Sequence, residues 1–348
     1  MKRLSLFSML LFLLAGSVSV ALADKEHDKL ALDKVKGPLS VMVLGSGGPI
    51  ATPSGRASAG YMIFVEGKPR VLMDVGGGTY QRIAASGMNI KDLDIILLSH
   101  LHIDHTGDLS STIKTIYFHN NLAGTGRTDP VRIYGPAENG VPFPDTSVSQ
   151  YPATSDYAHD HYALPGGTER YLNIFATAIS QGASQFAYEA HDLNSAIPGA
   201  NIEEILSTPD GLVLQAIAVD HGPVPALAFR IEYKGYSIVY SGDTGSRGPN
   251  MITIAQDADL LIYDTAITAD LPTNPVFHVL HTEPARIGEV AQAANVKKLV
   301  LSHITPVTEP RLKEVKKVIR SQAYTGKIIE AKDLQVYNLE KKGHGHSR

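Results

Sequence analysis

Leu98-Ser99-His100-Leu101-His102-Ile103-Asp104-His105-Thr106-Gly107-Asp108 is the stretch on which the reading of this chain turns. Three histidines and one aspartate fall within six residues, directly after the apolar run 94–99. That run predicts a buried strand. Side chains two apart on an extended segment point the same way, so His100 and His102 can reach one metal ion together. Asp104 and His105 lie past the strand end, where a turn can aim them at a second ion. Neutral imidazole and carboxylate suit zinc. Desolvating four such groups without a cation would be costly.

Around this motif, short apolar runs predict strands at 40–44, 61–65, 70–74, 131–134, 212–219, 226–233, 236–241, 259–263, 298–302, 327–330 and 335–339. Helical patterns end near 87 and cover 284–294 and 309–321, with Thr282 placed to cap the helix that has Pro284 just inside its start. Strands cluster in two runs with helices between them, which predicts two sheets with helices outside, an α/β fold. His221, Asp243 and His303 each follow an apolar strand, so all can meet at one edge of the sheets. The loop Gly45-Ser46-Gly47-Gly48-Pro49 lacks the Gly-Lys-Ser/Thr ending of a nucleotide cradle and reads as a tight turn near an active site. The stretch 138–200, rich in Pro, Tyr, Ser and Ala, reads as a partly helical insertion covering the site, or else as a surface elaboration. In it, Tyr151, Tyr157 and Tyr162 are either an aromatic wall for a substrate ring or ordinary packing. His159 and His161 either line the pocket or are solvated.

Composition narrows the classes. The chain has 348 residues, 43% of them hydrophobic, enough for a sizeable core. A net charge of −4 gives no reason to expect nucleic-acid or membrane-surface binding from bulk charge. With no cysteine, disulfides, thiol nucleophiles and Cys-based zinc sites are excluded, so a metal site must use His and carboxylates. Residues 1–23 have the pattern of a signal peptide: Lys2 and Arg3, an apolar run from Leu4 to Leu14, then Ala21-Leu22-Ala23. The expectation is a periplasmic or secreted protein starting at Asp24, with no stable membrane association after cleavage. A charged flexible arm is expected at 24–38, one domain at 39–340 and a disordered tail at 341–348.

The pattern His-x-His-x-Asp-His at His100–His105 resembles the metallo-β-lactamase superfamily, and the resemblance runs across nearly the whole mature chain. It implies a four-layer αββα sandwich. Asp74 looks like the acidic residue that steadies the metal loop. Asp220-His221-Gly222-Pro223 looks like the segment giving the next His, Ser241-Gly242-Asp243-Thr244 the segment giving the bridging Asp, and Leu301-Ser302-His303 the final His. The resemblance therefore implies His100, His102 and His221 on one zinc, and Asp104, His105 and His303 on the other, with Asp243 shared. The expected cofactor is two zinc ions or another divalent metal. A bridging hydroxide would be the nucleophile, which also makes Asp104 a catalytic candidate.

Leu44–Pro49, Arg56 before Gly60-Tyr61, Tyr134-Gly135-Pro136 and His281-Thr282 are similar to the ribonuclease Z, cyclic phosphodiesterase and arylsulfatase branch. In that group the His of the last segment donates a proton to the leaving group, a role this places on His281, with Asp264 as the residue that orients it. One departure stands out. Ribonuclease Z carries a long tRNA-gripping arm between the His221-like and Asp243-like ligands, and here 21 residues separate them. The expectation is thus an exported hydrolase of small-molecule phosphodiesters or aryl sulfates, with no nucleic-acid partner. A homodimer is expected from the branch. A lactonase or β-lactamase reading and a non-catalytic metal-binding reading remain as alternatives.

Overall fold

Gly60–Val65 is buried at every position, so no side of this strand is left for solvent. Successive side chains of a strand point to opposite faces. Tyr61, Ile63 and Val65 join one apolar cluster, and Met62 and Phe64 join another. Leu260 and Ile262 share the first cluster, while Leu261 and Tyr263 belong to a third. Strands of this kind need an apolar layer on both faces.

The structure, a computed structural model, describes residues 30–142, 150–163, 167–197 and 200–340 and meets that need with four layers. The first sheet contains β1 (Leu39–Gly45), β2 (Gly60–Val65), β3 (Lys68–Val75), β4 (Ile95–Leu97), β5 (Val131–Pro136) and β6 (Tyr188–Leu193). The second contains β7 (Glu203–Ser207), β8 (Val213–Ala218), β9 (Leu227–Tyr233), β10 (Tyr236–Tyr240), β11 (Leu260–Asp264), β12 (Lys298–Ser302) and β13 (Lys327–Glu330). The last strand, β14 (Val336–Leu339), returns to the first sheet beside β1, giving the orders β14-β1-β2-β3-β4-β5-β6 and β13-β12-β11-β10-β9-β8-β7. The helices Thr79–Ser86 and Leu109–Leu122 cover the outside of the first sheet. Asn250–Ile254, Pro284–Ala293 and Leu312–Ser321 cover the outside of the second. This is the αββα sandwich that the resemblance implies.

Strand direction places the site. β3, β4, β5 and β6 are mutually parallel. In the second sheet β10, β11, β12 and β13 are parallel, and β8 runs the same way because it is antiparallel to β9, which is antiparallel to β10. The strand ends that precede or carry the candidate residues therefore collect along one edge of each sheet.

The expected signal peptide at 1–23, the expected tail at 341–348 and the first part of the arm lie outside the described residues. The rest of the arm corrects the expectation of a flexible segment. Ala31–Lys34 forms a 3-10 turn with Ala31 buried, and Leu32 and Val35 pack on the outer apolar cluster of the first sheet. Those apolar residues, interleaved with charges, anchor it. The 138–200 stretch is partly helical in its described residues, with helical turns over Thr154–Ala158 and His159–Ala163 and a helix at Glu169–Ile179. It also supplies β6, which pairs with β5 along its whole length. Thr282 does not cap the following helix. Its hydroxyl donates to the Thr244 carbonyl and stands 3.0 Å from Ser246 Oγ, and Glu283 holds the N-cap position without a side-chain bond.

Candidate metal centre

The His-x-His-x-Asp-His run leaves β4 as an extended segment and then coils. His102 has extended backbone, and Ile103–Thr106 is one helical turn that swings Asp104 and His105 back toward the sheets. Glycine permits this return: a Cβ on Gly76 would lie 2.0 Å from the Asp104 carbonyl oxygen, so only glycine lets the turn settle there. Gly48 does the same for the other wall, since a Cβ there would meet the His303 imidazole at 2.8 Å. The glycine loop at 45–49 is thus a tight passage beside the site, as read from sequence.

Two groups of donors result. His100 Nε2 lies 2.9 Å from His102 Nδ1, and His221 Nε2 lies 3.5 Å from the same atom. His100 and His221 are fully buried, and His102 is the more open of the three. In the second group, His303 Nε2 is 3.2 Å from Asp104 Oδ2, 3.2 Å from Asp243 Oδ2 and 3.3 Å from His105 Nε2. His105 Nε2 is 3.3 Å from Asp104 Oδ2 and 3.5 Å from Asp243 Oδ2. Four ligands held about 2.0–2.1 Å from one ion in a tetrahedron stand about 3.3–3.4 Å apart, so this donor set has the dimensions of a zinc-sized site. Asp243 also lies between the groups, with Oδ2 3.9 Å from His100 Nε2. Its buried Oδ1 has no hydrogen-bond partner among the described residues, a costly arrangement that a cation would relieve. The residues therefore fit divalent metal.

The outer contacts set which imidazole nitrogen faces inward. Asp74, fully buried at the end of β3, accepts from Ser99 N, Ser99 Oγ and Tyr240 Oη, each at 2.7 Å. His105 Nδ1 stands 2.7 Å from the same carboxylate, so it donates there and leaves the Nε2 lone pair for the site. His221 Nδ1 donates to the Leu280 carbonyl at 2.7 Å, with the same effect. Asp74 and His303 both have left-handed backbone, at φ 53° and 55°. For non-glycine residues such a conformation costs of order 1–3 kcal/mol, and it persists where surrounding bonds over-determine it.

Electrostatics divides the histidines. Burial holds His100, His102 and His221 below the usual imidazole range, His221 at about 4, so all three are neutral and ready to ligate at neutral pH. Burial also opposes the charged form of His105, but Asp243, Asp104 and Asp74 outweigh it and raise it well above the usual range. His303 is likewise raised to about 10, burial being overcome by Asp243 and by bonds to Asp104 and Asp264. Protons on these two rings balance the carboxylates in the metal-free chain, and a metal ion would displace them.

Beside the metal groups stands a separate pair. His281 Nδ1 lies 2.7 Å from Asp264 Oδ2, and Asp264 Oδ1 accepts from Ala266 N at 3.0 Å. Asp264 Oδ1 is also 3.3 Å from His303 Nδ1. Asp243, Asp264, His281 and His303 also lie close enough to form a third potential donor group, but Asp264 and His281 already satisfy each other. The structure thus brings His100, His102, Asp104, His105, His221, Asp243, His303, His281 and Asp264 together at one edge. Sequence reasoning missed Ser99 and Tyr240, whose roles depend on the approach of the two sheets. Arg56 stays outside the centre: it clamps Glu309, Glu330 and Ser46 at the loop's outer side.

Comparison with known proteins bears on the family and the fold. The family pattern described as Metallo-beta-lactamase superfamily matches residues 55–116, and the Beta-lactamase superfamily domain matches residues 160–304. The chain belongs to the metallo-β-lactamase superfamily. Among its relatives, Ribonuclease Z of Mycolicibacterium paratuberculosis is 27% identical over 306 residues, covering 85% of this chain and 96% of that protein. Ribonuclease Z of Methanosarcina acetivorans is 29% identical over 310 residues, with the same 85% and 96% coverage. The crystal structure of human tRNase Z, short form, superposes with a TM-score of 0.60 at 21% identity, over 86% of this chain and 99% of that one, and shares the fold.

These relatives correct one expectation. A small-molecule ester substrate with no nucleic-acid partner conflicts with relatives named for RNA cleavage that match along 85% of the chain. The expectation rested on bulk charge and on the short link between His221 and Asp243. Net charge describes the whole surface and not the edge where the metal groups sit. The link itself is taken up by the β9–β10 hairpin, so substrate would meet the strand-end edge directly.

Asp74→Asn should lower zinc affinity about 10- to 100-fold, because it weakens the carboxylate that orients His105. Competition with a chromogenic chelator measures this, and unchanged affinity would remove Asp74 from that role.

Proposed function

We propose that this chain is a dinuclear zinc phosphodiesterase of the ribonuclease Z type that cleaves RNA phosphodiester bonds. The observation that carries the reading is the buried His281–Asp264 pair at the metal edge. Burial disfavours a charged His281, yet the charge and bond of Asp264 and the nearby Asp243 outweigh it and raise the imidazole above its usual range. Asp264 thus favours the protonated imidazole, with Nδ1–H committed to Asp264 and Nε2 left as the position from which a proton can be given away.

An alkoxide leaving group is a strong base and needs such a proton as the P–O bond breaks. A phenolic leaving group of an aryl sulfate needs it far less, which favours the phosphodiester reading. Two divalent ions, when bound, supply an acidified water and offset charge growing on the phosphoryl oxygens. The chain's own part is to hold these donors in place through Asp74, Ser99 and Tyr240, and to deliver the proton from His281. Asp264 keeps the imidazole in the productive tautomer.

The residue pattern of 1–23 supports export of the enzyme with cleavage after Ala23. The protein isolated from its own source should begin at Asp24 on N-terminal sequencing, and an intact Met1 would contradict export by this route.

His281→Ala should retain its metal and lose about 10²- to 10⁴-fold in kcat on diesters with alcohol leaving groups, including an RNA with a 3′ extension. Turnover of bis(p-nitrophenyl) phosphate, whose leaving group departs without a proton, should fall far less. Equal losses on both substrates would take the general-acid role away from His281.

A further inference from the structure

The 138–200 segment adds a feature that the metal centre does not use. A cavity of 170 Å³ opens at the metal edge, lined by Tyr151 and Tyr157 from this segment, by Pro136, Val224 and Pro225 from the neighbouring strand ends, and by His102. Among the described residues, no carboxylate, lysine or arginine lines it. Of the three tyrosines singled out in the sequence, Tyr162 is elsewhere: it is buried in the outer core against Phe186 and Tyr188.

The walls are held from several directions. Thr154 is buried and donates to the Pro136 carbonyl at 3.0 Å. Ser155 N donates to Asp192 Oδ1 at 2.8 Å, which ties the helical turn bearing Tyr157 to β6. The ring of His161 stacks behind Tyr157 with centroids 5.8 Å apart and planes within 7°, and its Nε2 is 2.9 Å from Ser110 Oγ. Asn139 Nδ2 donates to the Pro223 carbonyl at 3.0 Å, fixing the loop that carries Val224 and Pro225. Tyr157 is therefore backed on one side and partly open on the other.

We propose that this cavity is a stacking subsite for a nucleobase of the substrate, the base of the nucleoside that keeps the phosphate after cleavage. The proposal rests on the phosphodiesterase reading. A cleft with aromatic and proline faces suits a flat ring, and base stacking on aromatic side chains is tolerant of sequence. Placement selects which nucleoside. His281 packs against His221 and His303, with ring centroids at 5.6 and 5.5 Å, whereas the cavity meets the site at His102. The leaving oxygen must be at His281, so the substituent at the His102 end is the one retained.

The test compares thymidine 5′-(p-nitrophenyl phosphate) with methyl p-nitrophenyl phosphate, using the zinc-loaded full chain. Both lose p-nitrophenolate, and they differ only in the retained group. The wild type should prefer the nucleoside substrate in kcat/KM. Tyr157→Ala should reduce that preference about 5- to 150-fold, and Tyr157→Phe should retain it. Tyr157→Trp would place the sole tryptophan of the chain in the cleft, and thymidine 5′-phosphate should quench its emission. No preference in the wild type, a preference unmoved by Tyr157→Ala, or no quenching would each overturn the subsite. Failure of the metal-loaded wild type to cleave either diester would instead overturn the phosphodiesterase reading and the subsite with it.

Discussion

The site depends on one buried carboxylate. Asp74 ends a strand of the first sheet and collects Ser99 N, Ser99 Oγ and His105 Nδ1 from its own side, and Tyr240 Oη from the second sheet. A buried charge is tolerated only when its lone pairs are filled, and removing a partner leaves an uncompensated group. The two sheets must therefore approach in one register for Tyr240 to reach Asp74. Tyr61 and Ser302 make a second polar tie across the same interface at 2.7 Å, and the Tyr61 and Tyr240 rings pack with centroids 4.7 Å apart. The floor of the metal centre and the packing of the sandwich are one structure.

From that floor the donors rise along strand ends that all run one way. This explains why residues separated by two hundred positions, such as Asp104 and His303, stand 3.2 Å apart. It also explains the division of labour. His100 and His221 are buried neutral, suited to ligate at once, while His105 and His303 sit among carboxylates and exchange protons for a cation. His281 lies just outside both groups, where a carboxylate of its own favours its charged form.

Much of this was legible in the sequence because it is carried by residue type at strand ends. Apolar runs closed by His221, Asp243, Asp264 and His303 announce both the strands and the donors. Other parts left weaker marks. β6, with Tyr188, Glu189, His191 and Asp192, is a half-polar edge strand whose only strong cue is its pairing partner. The helix Leu109–Leu122 carries buried Leu109, Ile113, Ile116 and Tyr117 at helical spacing, a signal that was available but overshadowed by the adjacent histidine motif. Nothing local marks Ser99 or Tyr240 as supports for Asp74. The charged look of residues 30–38 hid the few apolar side chains that pin them. Charge and link length misdirected the reading of the substrate, because net charge describes the whole surface and the link describes one hairpin, and neither describes the whole edge that meets it.

Two donor groups that share Asp243 would give one edge of this sandwich places for two metal ions. Calorimetric titration of zinc into the metal-stripped full chain tests it most directly. Saturation is expected at two zinc ions per chain. Saturation at one ion, or no binding by a chain that is folded, would contradict it.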